Sequence, residues 1–221
     1  MNIDYFIRKQ EILFSKLEVK YIRHKYFTIL NNNDRLIGLI GARGVGKTTV
    51  LLQYLKNLKE KSLYLTGDDI EFTNTNIYTL ADEFYTLGGR VIAIDEVHQY
   101  KNWAREIKNI YDSFPDLTIR ISGSSMLNIL YEKYDLSRRI ILQKMKTLSF
   151  KEYFEIENNI KLPLYTLDEI LKNSSSISKE LVFKYQNLYS SFKSYLQYGA
   201  YPFYLESEVS FHNKLFNALD K

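Results

Sequence analysis

The chain has 221 residues, enough for one ordinary domain and a smaller one around a real hydrophobic core. Its 45% apolar and 25% charged composition is that of a soluble globular protein, and a net charge of +4 is too mild to argue for nucleic acid by itself. There is no cysteine for disulfides or thiolate metal sites, His24, His98 and His212 lack ligand spacing, and no apolar run reaches the roughly 18–20 residues of a membrane span; a cytoplasmic protein is the expectation.

The opening stretch MNIDYFIRKQ lacks the charged-then-apolar layout of a signal peptide. Residues 1–30 instead carry apolar positions at helical spacing (Ile3, Phe6, Ile7, Ile12, Leu13, Leu17), which predicts one or two amphipathic helices. The Asn31-Asn32-Asn33-Asp34 cluster marks a turn, and residues 36–40 form an apolar run that predicts a buried strand. A helical pattern follows over 47–60, then a strand at 63–65 ending in Thr66-Gly67-Asp68-Asp69. Next come a helix at 77–87 stopped by Gly88-Gly89, a strand at 91–94, and a helix at 103–111. Residues 117–122 predict a fourth strand, 126–134 a helix and 140–142 a fifth strand. Strands alternating with helices imply a parallel sheet covered on both faces, and the unbroken apolar runs agree with strands buried on both sides.

The character changes after about residue 148. Ser149 with Glu152 and Thr166 with Glu169 both fit a capping box, Ser174-Ser175-Ser176 reads as a loop, and residues 180–197 have helical spacing. Tyr198-Gly199-Ala200-Tyr201-Pro202 then breaks the pattern. The expected division is an α/β domain over 1–147 and a small all-helical unit over 148–221.

Two segments carry chemistry. Gly41-Ala42-Arg43-Gly44-Val45-Gly46-Lys47-Thr48, followed by Thr49, matches the phosphate-binding pattern G-x-x-x-x-G-K-[ST] in full, between a predicted strand and a predicted helix. Glycines there let backbone N–H groups curl around phosphate oxygens, and the helix that follows points its positive end at the same anion. Lys47 is suited to bridge the β- and γ-phosphates, and the Thr48 hydroxyl to ligate Mg²⁺. Val91-Ile92-Ala93-Ile94-Asp95-Glu96 places two acids at the carboxyl end of a buried strand, where ligands bind in open α/β sheets. Asp95 is suited to hold Mg²⁺ through water, and Glu96 to polarise an attacking water. The cluster Ser122-Gly123-Ser124-Ser125 offers hydroxyls for a γ-phosphate, although an ordinary turn after a strand fits it equally well. Arg138-Arg139 offers guanidinium groups for developing phosphoryl charge, and a solvated pair at a helix end is the plainer reading. His98, just past the acid pair, is read as structural or peripheral because Glu96 already fills the role of base.

With these motifs in place, the chain resembles the AAA-like ATPases of bacteria and archaea that are distantly related to origin-binding ATPases. The resembling stretches are residues 41–49, Asp-Glu-Val-His-Gln-Tyr-Lys-Asn-Trp at 95–103, Ile-Lys-Asn-Ile-Tyr-Asp at 107–112 and Ile-Ser-Gly-Ser-Ser at 121–125. They continue with Leu-Ser-Arg-Arg at 136–139, Leu-Ser-Phe-Lys-Glu-Tyr at 148–153 and Tyr-Gly-Ala-Tyr-Pro at 198–202. The phosphate loop is shared by very many families; the Asp-Glu-Val…Trp and Leu-Ser-Phe…Glu stretches discriminate better. The resemblance implies ATP and ADP rather than guanine nucleotides, with Mg²⁺, a parallel five-stranded P-loop sheet, and a helical lid from near Leu148. It makes Ser124, with Ser125 as alternative, the sensor of the γ-phosphate, and it puts an arginine finger at Arg139. The family usually has Gly-Arg where this chain has Arg138-Arg139, which leaves open which arginine acts. Such proteins normally run well past residue 221, so the chain is expected to be a fragment or a short member lacking a C-terminal domain, its lid truncated.

The leading expectation is a Mg-dependent ATP hydrolase, slow in isolation, whose nucleotide state drives a conformational change on a macromolecular partner or through self-association. An alternative is an ATP-regulated DNA-binding protein, since residues 1–47 hold nine Lys and Arg against four acids. A small-molecule P-loop kinase ranks third, because no acceptor motif is evident and the acid pair favours water as nucleophile.

Overall fold

A computed structural model of the chain describes residues 2–18, 21–123, 136 and 138–219. The predicted helix at 126–134 and the serines Ser124 and Ser125 lie outside the described residues. The chain falls into two compact units, Met1–Lys146 and Thr147–Lys221.

The first unit is built on five parallel strands, β1 (Leu36–Ile40), β2 (Ser62–Thr66), β3 (Val91–Asp95), β4 (Thr118–Gly123) and β5 (Ile140–Lys144), in the order β2-β3-β4-β1-β5. β1 and β3 are buried along their whole length, which is why they read as unbroken apolar runs. The helices are α1 (Asn2–Lys16), α2 (His24–Leu30), α3 (Lys47–Lys56), α4 (Ile77–Thr86) and α5 (Trp103–Ser113). Alternation along the strands divides the residues between two faces. Leu63, Leu65, Ile92, Ile94, Ile119 and Ile121 share one core with Ile3 and Phe6 of α1, Leu80 and Phe84 of α4, and Ile107 and Ile110 of α5. Tyr64, Asp95 and Arg120 face the other way, toward α3, where the Arg120 guanidinium lies 5.6 Å from the Tyr54 ring centroid. Helices therefore cover both faces.

Arg120, only 1% exposed, closes the turn between α2 and β1. It donates to the carbonyls of Leu30 (2.8 Å), Asn32 (3.0 Å) and Asp34 (2.9 Å), so the Asn31-Asn32-Asn33-Asp34 turn is built around a buried cation. A buried guanidinium is tolerated when its donors are met, and carbonyl dipoles do so here. At the other end of α4, Gly88 takes φ +82° and ends the helix, a conformation that favours glycine.

The second unit is all helical among its described residues: α6 (Phe150–Asn158), α7 (Leu167–Lys184), α8 (Leu188–Ser194) and α9 (Phe211–Leu219), with a π turn at Tyr195–Gly199. Both capping boxes form, Ser149 with Glu152 and Thr166 with Glu169. The serine run 174–176 is helical rather than a loop; α7 continues through it with a kink at Asn173 (φ −125°). Serine disfavours helix interiors by only a few tenths of a kcal/mol, which neighbouring turns override. The predicted helix at 180–197 is broken at Tyr185 (φ −120°, ψ 81°) and restarts at Leu188. The resembling stretches at 148–153 and 198–202 meet: the Leu148 N–H donates to the Ala200 carbonyl (2.8 Å) and the Tyr195 hydroxyl to the Leu148 carbonyl (2.8 Å). Gly199 sits against the Tyr153 ring, where a β-carbon would come within 2.7 Å of it.

Candidate functional site

The carboxyl ends of β3, β4 and β1 lie side by side in the sheet, and the candidate residues gather there. The loop after β1 cannot carry a side chain at its first position, since a β-carbon on Gly41 would lie 2.4 Å from the Met145 carbonyl oxygen. Gly44 (φ +81°) and Gly46 (φ +95°) adopt left-handed conformations that turn successive peptides inward. Gly46 stands at the amino end of α3 with no side-chain cap, whereas Asn76, Ser149 and Thr166 cap their helices with side-chain oxygens. The first N–H groups of α3 are thus presented to the loop, with the positive end of the helix behind them.

Lys47 folds back into this loop. Its Nζ donates to the carbonyls of Gly41 (3.0 Å) and Ala42 (3.1 Å) and lies 3.9 Å from Glu96 Oε1. Burial pulls its pKa below the ordinary lysine value, and the charges of Glu96 and Asp95 oppose that shift. The result is a compact cation held at the mouth of the loop. Val45 is buried, whereas Ala42, Arg43, Gly44, Thr48 and Thr49 are exposed.

Asp95 is 2% exposed, and both its carboxylate oxygens are engaged. Oδ2 accepts from the hydroxyls of Thr48 (2.5 Å) and Tyr64 (2.9 Å). Oδ1 accepts from the Ser122 hydroxyl and from the Glu96 N–H (3.0 Å). Three hydroxyls from α3, β2 and β4 therefore fix one carboxylate rotamer. Burial first, and then the Asp95 charge, drives the Tyr64 pKa far above the ordinary phenol value, so Tyr64 remains a donor. The sequence reading missed Tyr64 and took Ser122 only as part of a polar cluster. The signal was weak: Tyr64 is an aromatic in an apolar strand, and its proximity to Asp95 depends on the β2–β3 register, Thr66 opposite Asp95. Tyr64→Phe removes one of these donors and little volume. It is expected to leave the buried Asp95 carboxylate one partner short and to destabilise the fold by about 1–2 kcal/mol in a thermal or denaturant melt.

Glu96 takes φ +44°, uncommon for a residue with a side chain. Gly67 makes the conformation possible: a β-carbon there would lie 2.6 Å from the Glu96 carbonyl oxygen, and the Gly67 N–H donates to the Asp95 carbonyl (2.8 Å). Turned this way, the Glu96 carboxylate reaches toward Lys47 on one side and lies 3.6 Å from His98 Nε2 on the other. His98, read from sequence as structural, is in direct contact with the acid it follows. Backbone strain of this kind recurs at functional sites, where it aims a side chain.

Arg139 is not brought to this cluster. It makes a two-point ion pair with Asp112 of α5 (Nε–Oδ1 3.0 Å, Nη2–Oδ2 3.1 Å) at the amino end of β5. Ile140 pairs with Leu36 and Lys144 with Ile40, so the length of a strand, on the order of 15 Å, separates Arg139 from the loop that leaves β1. Arg138, beside it, is exposed.

Among the described residues no helix is long and apolar enough to cross a membrane. Comparison with known proteins finds a family model described as an AAA domain matching residues 33–154. An uncharacterized protein of Methanocaldococcus jannaschii is 30% identical over 226 residues, covering 96% of this chain and 46% of its own length. The chain thus spans about half the length of the curated relative it matches. The matched region runs from the turn before β1 into α6, and so contains the phosphate loop, the acid pair and the strand order that joins them. On fold, loop geometry and family match together, the chain belongs to the AAA-like P-loop ATPase family.

Proposed function

We propose that this chain binds Mg·ATP at residues 41–49 and hydrolyses it, coupling nucleotide state to a conformational change that acts on a macromolecular partner. The observation that carries this is the convergence of Lys47, Thr48, Asp95 and Glu96 at adjoining strand ends, with a buried cation and an oriented acid 3.9 Å apart. The donor set fits the group: hard oxygen ligands suit Mg²⁺, and a glycine loop with left-handed turns suits phosphate oxygens. Thr48 and Asp95 would hold the metal, which when bound neutralises charge on the β- and γ-phosphates.

The chain's own residues account for the rest. The loop N–H groups and Lys47 hold the phosphates, Lys47 exchanging the Gly41 and Ala42 carbonyls for phosphate oxygens. Asp95, fixed by hydrogen bonds from Tyr64 and Ser122, keeps its orientation without solvent rearrangement. Glu96 accepts a proton from the attacking water, and Lys47 lowers the field that its charge would present to the γ-phosphate. Ser124 is the proposed γ-phosphate sensor, and the unit starting near residue 148 the lid.

Arg139 enters from a neighbouring subunit, because its place at the amino end of β5 is a strand's length from its own phosphate loop. The test is ATP turnover per subunit measured against protein concentration. A rise of at least about 10-fold that Arg139→Ala abolishes is the expected result. Turnover independent of concentration and unchanged in Arg139→Ala would remove the neighbour from the mechanism, and no release of phosphate at any concentration would remove hydrolysis itself.

A further inference from the structure

Arg23 is an arginine taken out of water: 6% exposed, at the entry to α2, in a segment that contributes nothing to the phosphate-loop motif. Its Nη1 donates to two backbone carbonyls far apart in sequence, Val45 (3.1 Å) in the phosphate loop and Lys146 (2.9 Å) just beyond β5. The guanidinium lies 4.8 Å from the Tyr26 ring centroid, and the Tyr26 hydroxyl accepts from the Lys146 N–H (2.9 Å). The neighbouring residue, Met145, donates its N–H to Ile40 (2.7 Å) and puts its carbonyl against Gly41. One side chain thus ties the phosphate loop to the strap that backs it.

The Val45 carbonyl is the informative acceptor. In a trans peptide, C=O and N–H point in opposite directions, so whatever holds the Val45 oxygen also aims the Gly46 N–H. That peptide flips by changing ψ of Val45 and φ of Gly46 together. Glycine admits either sign of φ at little cost, so the steric rules that fix most peptides do not fix this one. Gly46 is in the left-handed region, φ +95°, with the Val45 oxygen on Arg23. A guanidinium suits the task because it stays charged when buried and its planar N–H groups serve two carbonyls at once, which an ammonium on a flexible stem does less well.

Resting on the assignment of residues 41–49 as the nucleotide site, we propose that Arg23 is a positioning residue for triphosphate binding. By holding the Val45 carbonyl outward it sets the Gly46 N–H inward toward the phosphate, and by gripping Lys146 it fixes the loop against its strap. Arg23 touches no phosphate itself; it acts through the loop.

The experiment is calorimetric binding of Mg·ADP and of pyrophosphate to the whole chain, wild type against Arg23→Lys and Arg23→Gln, with thermal melting of each protein alone and with Mg·ADP. The expected result is at least about 10-fold weaker binding of both ligands to Arg23→Gln, and a smaller loss in Arg23→Lys. The Mg·ADP-induced rise in melting temperature should shrink in parallel, also in the lysine variant, which is expected to melt near the wild type when alone. Wild-type affinity for ADP and pyrophosphate in any folded Arg23 variant, even one that melts lower, would make the residue merely structural and overturn the proposal. If the wild type itself binds neither ligand, the nucleotide assignment fails, and this proposal falls with it.

Discussion

Replacing Lys47 by alanine is expected to weaken ATP binding by at least about 100-fold while leaving the ligand-free protein as stable as before. The first half follows from charge. Among residues 41–49 the other cation, Arg43, is exposed. Losing the two charge-assisted contacts that Lys47 is proposed to make with phosphate oxygens removes roughly 3 kcal/mol or more, which is a factor of 100 or more in Kd. The second half follows from burial. Desolvation already lowers the Lys47 pKa, so the ligand-free protein holds this ammonium at a cost that Glu96 and Asp95 only partly offset. Alanine removes that cost, and water entering the opened loop mouth meets the Gly41 and Ala42 carbonyls that Lys47 had served. Calorimetry on ATP and melting curves with and without Mg·ADP check both halves. A variant that no longer binds and also melts far lower would show that Lys47 is a structural strut, contrary to this account.

The sheet was legible at its centre because β1 and β3 are buried on both faces, so residues 36–40 and 91–94 announced themselves as apolar runs, while 117–122 showed apolar residues alternating with Thr118, Arg120 and Ser122. The glycine loop was legible because its spacing is local: eight residues from Gly41 to Thr48 carry the whole pattern. What escaped depends on pairing at long range. Tyr64 meets Asp95 only because β2 lies beside β3, and Ser122 meets it only because β4 lies on the other side. No local pattern encodes that order. Arg23 escaped for a different reason. Counted among the basic residues of 1–47 it looked like part of a diffuse electrostatic footprint, whereas burial makes it a fastening of two backbone segments. A charge count treats every cation as solvated; the fold does not.

The strain at Glu96 is a further element that sequence could not announce, because the room for it comes from Gly67 on the neighbouring strand end. It also bears on the second large effect. Glu96→Gln is expected to lower ATP turnover by about 1,000-fold, within the 10²–10⁴ range of a positioned general base, while ATP binds as tightly as before or tighter. Glutamine keeps the length and the shape of the side chain, and Gly67 still leaves room for the Glu96 backbone at φ +44°. What it loses is the ability to accept a proton. It also removes a negative charge from beside the proposed γ-phosphate site, so ground-state affinity should not fall. Single-turnover hydrolysis, measured beside equilibrium binding on the same preparation, separates the two quantities. Loss of turnover with binding retained assigns Glu96 to the chemical step. Loss of both would mean that the Glu96–Lys47 contact at 3.9 Å builds the binding loop, and unchanged turnover would remove Glu96 from the mechanism and pass the role of base to another group.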